Sequence, residues 1–229
     1  MKGELTMPLL NQQQRESLED AIKEYNYPKV TYDFRNKKEI VHSSMRQLEA
    51  SIRVNLTSGD PIRVKDGLSN VLYWGHYRAG YRWDRVRDFR KKITQQKLDH
   101  VARTLQNIFE TPIWTIKNIE LPQFSNISFI SKILMFLDPQ KYVTLDRKLM
   151  KLANVEPITI FHSIKTYRTY IPCTRENEQQ YQNWCGLCKN ASIKYFQGQE
   201  VFAVDIERGI FCIVEKGQYN VAAQIIANI

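Results

Sequence analysis

Glycine is scarce in this chain, at 9 of 229 residues, and sustained alternation of apolar and polar residues is almost absent. Both shortages argue against a β-rich fold and leave a helical pattern along nearly the whole sequence. No internal repeat or low-complexity linker interrupts that pattern. The expectation is therefore an all-α fold, with residues 1–229 forming a single two-lobed helical domain. No apolar run reaches the roughly 18 residues that a membrane-spanning helix requires. The first twenty residues have no apolar stretch of the secretory kind. A cytoplasmic protein with no membrane partner is expected.

Cysteine is also sparse. Cys173, Cys185, Cys188 and Cys212 are expected to be free, mostly buried thiols in a reducing compartment. Cys185 and Cys188 have the spacing of half a metal site. The sequence has no second such pair, no close histidine pair, and no tight four-cysteine run of the kind that ligates an iron–sulfur cluster. No metal and no cofactor are expected.

Positive charge is what the chain has in excess. Lys and Arg number 33 against 24 Asp and Glu, a net charge of +9, with 43% hydrophobic residues. The hydrophobic share supports a packed core rather than disorder. The charge favours a polyanionic partner, of which nucleic acid is the commonest, although basic proteins without one also exist.

A first helix is expected over Leu10 to Tyr25, ended by Tyr27-Pro28. One short extended segment follows, Lys29 to Phe34, in which Val30, Tyr32 and Phe34 alternate with polar residues. A second helix is expected over Lys38 to Leu56, and a third capped by Asp66 and running through Trp74 to Tyr77. Arg82 to Ile93 is basic and amphipathic. Thr94 caps a helix over Gln95 to Phe109, and Thr111-Pro112 opens a short one. In the last third, helices are expected from Tyr181 to Phe196 and after Asp205, a candidate cap, through Val214.

Leu121 to Met150 is the stretch with most chemical content. A turn, Leu121 to Asn126, leads into a helix ending at Asp138-Pro139, for which Ser125 and Asn126 are good cap residues. Ile127, Ile130, Leu134 and Leu137 form its apolar stripe. Lys132 sits in the middle of this helix. A lysine in apolar surroundings loses proton affinity and becomes a nucleophile able to attack a sugar carbon, although most lysines stay solvated. Asp146 precedes Arg147 to Ala153 and is placed to cap that helix. It could also accept a proton and stabilise positive charge developing on a sugar.

These residues resemble the helix-hairpin-helix DNA glycosylases, the superfamily of endonuclease III, the adenine glycosylases and the 8-oxoguanine glycosylases. The likeness covers Leu121 to Ala153, and the helix-hairpin-helix region is placed at 112–155. Asp146 lies 25 residues beyond Leu121, the interval at which the family carries its essential aspartate. Tyr142 to Asp146 is similar to the family's segment leading into it. Phe129 to Leu134 resembles the lysine helix of the archaeal 8-oxoguanine glycosylases, which have an atypical hairpin. The resemblance implies a DNA glycosylase/AP lyase, with 8-oxoguanine as the implied lesion, Asp146 as the catalytic carboxylate and Lys132 as the Schiff-base nucleophile. It also implies double-stranded DNA as partner; a monomer is expected. Two features depart from the pattern. Gln123 and Ser125 replace the hairpin glycines of Leu-Pro-Gly-Val-Gly, and the family's usual lysine position falls at Ile127.

Hairpins of this kind hold DNA through turn N–H groups and the following helix N-terminus. Gln123, Ser125 and Asn126 are thus candidate DNA contacts, joined by Arg147, Lys148 and Lys151 after Asp146. Arg82 and Arg85, in the basic run Arg78 to Lys92, are candidate phosphate contacts. A glycosylase must also hold an extruded base. His76, Tyr77 and Trp83, in the aromatic cluster Tyr73 to Trp83, are candidates for that pocket, although aromatics at helical spacing ordinarily belong to the core. Two other readings compete: a helix-hairpin-helix DNA-binding protein that is monofunctional or lacks catalysis, and a helical protein-interaction domain.

Overall fold

The computed structural model describes residues 9–107 and 112–229, and these residues are mostly helical. In chain order the helices are α1 (Gln12–Glu24), α2 (Met45–Leu56), α3 (Pro61–Gly75), α4 (Arg82–Lys92) and α5 (Gln95–Thr104). They continue with α6 (Pro112–Lys117), α7 (Ile127–Leu137), α8 (Arg175–Tyr195), α9 (Ala203–Glu215) and α10 (Tyr219–Ala227). Short 3-10 helices cover Arg147–Leu152 and Ile160–Ser163. The expected ends at Phe109 and Thr111 lie outside the described residues.

Several boundaries differ from expectation, each for a local reason. The extended segment is real and has a partner. β1 (Val30–Asp33) pairs antiparallel with β2 (Lys38–Val41), Val30 opposite Val41, so the helix expected from Lys38 begins only at Met45. Asp33 accepts the N–H groups of Arg35 and Asn36, which closes the turn, and Ser44 caps α2 through the Gln47 N–H. Asp60, not Asp66, caps α3, with Pro61 in its first turn. Asp66 lies inside the helix and pairs with Arg90 at 2.6 Å. Thr174 caps α8, so that helix starts well before Tyr181. Asp205 is not the N-cap of α9. It sits in the first turn and reaches back to accept the Phe202 N–H at 2.8 Å.

α7 is the innermost helix. Its residues from Ile130 to Leu137 are all buried, and α2, α3 and α6 pack around it. Fully burying each Ile or Leu here contributes roughly 1.5–3 kcal/mol; Leu134→Ala would cost about 2–5 kcal/mol. α9 packs on α1 and α8. At Gly209 the approach is so close that a Cβ would lie 2.8 Å from Leu18 and Ile22 side-chain carbons. α9 also carries Arg208, fully enclosed, which pairs with Glu49 of α2 at 2.6 Å and Asp205 at 3.3 Å. Arg46 joins the same cluster through Glu49 and Asp205. These ties hold α9 and α2 in fixed relation and place α7 beside the segment that follows it.

Candidate active site

The turn between α6 and α7 is anchored by its apolar side chains. Leu121 and Phe124 are buried, and the Phe124 N–H donates to the Leu121 carbonyl at 3.1 Å. Between them Gln123 adopts φ +70°, the left-handed conformation that glycine takes most readily. A side chain there costs about 1–2 kcal/mol. Its amide offsets this strain: the Gln123 oxygen accepts from Arg85 Nη1 at 3.1 Å and its nitrogen donates to Asp88. The turn therefore keeps a glycine-like backbone without glycine. Asn126 caps α7 by accepting the Phe129 N–H at 3.1 Å. Ser125 is exposed.

After α7 the chain runs through Tyr142 to Leu145, which are buried yet belong to no helix or strand. Buried backbone groups need partners, and here side chains provide them. Ser131 Oγ accepts the Leu145 N–H at 3.0 Å. Tyr181 donates to the Val143 carbonyl at 3.0 Å, and Trp184 Nε1 to the Thr144 carbonyl at 3.2 Å. These bonds clamp the segment between α7 and α8 and deliver Asp146 to the edge of α7. Asp146 then caps a 3-10 helix, not an α-helix, with Oδ1 accepting the Lys148 N–H at 3.0 Å.

Lys132 reaches Asp146 from α7. Its side chain is 8% exposed, and Nζ donates to Asp146 Oδ2 at 3.3 Å and to the Ser128 carbonyl at 3.0 Å. Burial alone would raise the Asp146 pKa. The Lys132 ammonium beside it, the Lys148 N–H and the Lys132 hydrogen bond outweigh that, and the carboxyl is held below its ordinary range. Asp146 is thus an anion facing a buried cation. Gly75, the last residue of α3, makes room for the lysine: a Cβ there would lie 3.1 Å from Lys132 Cδ and 2.8 Å from Phe129 Cε1. Ile127, at the usual lysine position of the resembled family, is fully buried in the core and cannot take that role.

The pair forms the floor of an open cleft of about 510 Å³. Arg78, Arg85, Arg147 and Lys148 line it with Lys132, and among its described lining residues Asp146 is the one carboxylate. The cleft is therefore cationic, with Glu215 beside it pairing with Arg78 at 3.6 Å and with Lys148 at 2.5 Å. His76 stacks on Phe129, ring centroids 4.3 Å apart, and meets Tyr81 edge-on at 5.3 Å. Burial, with the nearby Lys132 and Arg85 charges, lowers its pKa to about 4, so it is neutral at pH 7. Behind the pair a small recess of about 50 Å³ is bounded by Tyr27, Trp74, Phe211 and Glu207. Burial raises Glu207 to a pKa of about 7, opposed by the hydroxyl of Thr144 that donates to it at 2.6 Å.

Most of the residues singled out from sequence meet here. Lys132, Asp146, Gln123, Ser125, Asn126, Arg147, Lys148, Arg85 and His76 all line the cleft. Four do not. Arg82 lies over Tyr73 and Tyr77 and pairs with Glu39. Tyr77 packs edge-on to Tyr73, and Trp83 against Tyr32 and Tyr73. Lys151 donates to the Tyr219 hydroxyl at 3.2 Å. Tyr27, Tyr170 and Glu207 are lining residues that local pattern did not single out, because each comes from a segment far along the chain. Cys185 and Cys188 are buried thiols with raised pKa values, chiefly from burial. Among the described residues no group of three or more His, Cys, Asp or Glu could hold a metal ion, and no helix is long and apolar enough to cross a membrane. No family model matches the sequence, and neither a curated protein nor a solved structure matches it.

Proposed function

We infer that the chain is a DNA glycosylase with AP lyase activity, built on a two-lobed helix-hairpin-helix fold in which α6, the turn 121–126 and α7 form the hairpin. The observation that carries the reading is a buried lysine 3.3 Å from an ionised aspartate in a cleft whose other charged lining residues are all cations. A cationic cleft attracts a phosphate backbone. In this reading Arg147 and Lys148 meet phosphates beside the extruded nucleotide, and the turn N–H groups meet the neighbouring ones.

The chemistry follows from the pair. Lys132 passes a proton to Asp146 and its freed electron pair attacks C1′. The C1′–N bond to the base breaks as the new C1′–Nζ bond forms, and the departing base takes the proton held by Asp146, which becomes an anion again. Asp146 then moves a proton from Nζ to O4′ as the C1′–O4′ bond opens, which gives the protonated Schiff base, whose α-proton is acidic enough for β-elimination of the 3′ phosphate. The carboxylate also stabilises positive charge on the sugar as the base leaves. 8-Oxoguanine is the first lesion to try.

Borohydride trapping on 8-oxoguanine and abasic duplexes tests this. A covalent adduct that disappears in Lys132→Gln, with base release reduced about 100-fold or more in Asp146→Asn, is the expected result. Salt-dependent duplex binding with neither adduct nor base release would instead favour a DNA-binding protein without catalysis.

A further inference from the structure

The segment Lys165 to Tyr170 is exposed along its length, and its end, Thr169 and Tyr170, lines the cleft. It carries two tyrosines, Tyr167 at 60% and Tyr170 at 41% exposure, with ring centroids 5.0 Å apart. Tyr170 also lines the cleft itself. Lys165 and Arg168 lie on the same segment, and Lys165 pairs with Glu176 of α8 only at 4.0 Å between largely exposed side chains. Exposed aromatic rings on a loop ordinarily go with a loose backbone, but this one is braced. The Tyr167 N–H donates to the Tyr170 carbonyl at 2.9 Å. At the base of the turn, Asn177 of α8, fully buried, accepts the Lys165 N–H at 2.8 Å. Its amide donates to the carbonyls of Lys165 at 2.8 Å and Pro172 at 3.0 Å. The buried side chains of Ile164 and Ile171 flank the turn, and the Ile127 N–H ties Ile171 to the start of α7 at 3.1 Å. The turn is thus held in fixed relation to the helix that carries Lys132.

Two rings kept in water by a rigid support, with cations beside them, match the requirements for stacking an unpaired nucleobase next to a phosphate backbone. Stacking on an aromatic ring is sequence-tolerant, because every base has a π-face, and the cations hold the adjoining phosphates. We propose that the Tyr167–Tyr170 turn is a stacking platform for an unpaired DNA base at the mouth of the cleft. The assignment rests on the reading of the cleft as a DNA site. It adds recognition of a locally unpaired duplex, independent of the chemistry at Lys132. An apolar protein segment would not account for the cations on the same turn or for the continuity with the cationic cleft.

The test compares binding of the full chain to two duplexes, one intact and one with a single tetrahydrofuran abasic analogue facing 2-aminopurine. The wild type is expected to prefer the second duplex and to quench 2-aminopurine fluorescence. The variant Tyr167→Ala with Tyr170→Ala is expected to lose about ten-fold or more of that preference and the quenching. Its dependence on salt should stay close to wild type, because no cation is removed. Tyr167→Phe with Tyr170→Phe should keep both preference and quenching, since the ring carries the effect. Equal preference and quenching in wild type and the Ala variant would overturn the platform while leaving the cleft reading intact. Failure of the wild type to bind either duplex would overturn both. Circular dichroism melting of the Ala variant separates loss of the rings from loss of the fold.

Discussion

Gly75 and Lys132 meet where α3 ends: a Cβ on Gly75 would sit 3.1 Å from Lys132 Cδ and 3.4 Å from Cε. The reach of the lysine towards Asp146 therefore depends on a missing methyl group on another helix. Gly75→Ala is expected to leave the fold intact, because the atoms displaced are a flexible stem and the edge of the Phe129 ring. The aminoalkyl chain must shift by a few tenths of an ångström or more. In the proposed reaction that misplacement should slow adduct formation by about 10- to 100-fold, with little change in duplex affinity. Single-turnover trapping beside equilibrium binding separates the two. An unchanged trapping rate would mean that Lys132 has slack to spare.

Lys132 and Asp146 should respond unequally to neutralisation. Lys132→Met replaces a buried ammonium by an apolar chain of similar volume. Asp146 keeps the Lys148 N–H and is partly open to water, with 31% of its side chain exposed. Removing one partner of an ion pair is destabilising, but the carboxylate left behind keeps an N–H donor and water, so the loss should be no more than about 1 kcal/mol. Asp146→Asn instead leaves the buried ammonium without its anion and should cost about 1–3 kcal/mol. Urea denaturation of both variants gives the comparison. A folded Lys132→Met protein with no trapped adduct would mark the lysine as needed for chemistry rather than for the fold.

His76 gives the site a pH signature. Its folded pKa, about 4, lies below the ordinary 6.5, so between those values the unfolded chain binds a proton that the folded chain does not. By linkage, its contribution is fully present above about pH 6.5 and is lost as pH falls towards 4. Asp146, with a folded pKa below 3.8, adds a further loss at still lower pH. His76→Phe keeps a ring against Phe129 and removes the titration. The wild-type Tm should fall more steeply than that of the variant between pH 6.5 and 4. Parallel curves would show that His76 is not held neutral.

What could be read in advance divides by distance along the chain. The stripe Ile127, Ile130, Leu134 and Leu137 and the cap Asn126 are local, and α7 formed over the expected residues. The closeness of Lys132 to Asp146 is not local. It depends on the path of Tyr142 to Leu145, and that path is clamped by Tyr181 and Trp184 about forty residues away. No period of 3.6 or 2 encodes such bonds. The aromatic cluster misled in the same way. Tyr77 and Trp83 stand beside His76 in sequence, but Tyr32 of β1 packs on Trp83 and Tyr73 packs on Tyr77, and both become packing. Tyr170, far along the chain, reaches the cleft instead. The strand β2 was hidden for a related reason: its residues are exposed on both faces, so it has no alternation, and only pairing with β1 defines it.

Gln123 tests whether the turn tolerates a side chain because of that side chain's own bonds. At φ +70° any residue but glycine or asparagine is strained. Gln123→Ala keeps the strain and removes the bonds to Arg85 and Asp88, and should destabilise by about 1–2 kcal/mol. Gln123→Gly also removes the bonds but relieves the strain, at a smaller cost in unfolded-chain entropy. It should therefore be more stable than the Ala variant by about 0.5–1 kcal/mol. Freed from Gln123, Arg85 becomes available to phosphate. In the proposed DNA site Gln123→Gly should bind duplex at least as tightly as wild type and steepen the salt dependence. Chemical denaturation gives the order of stabilities and salt titration the slope; a Gly variant less stable than Ala would mean that the positive φ stores no strain.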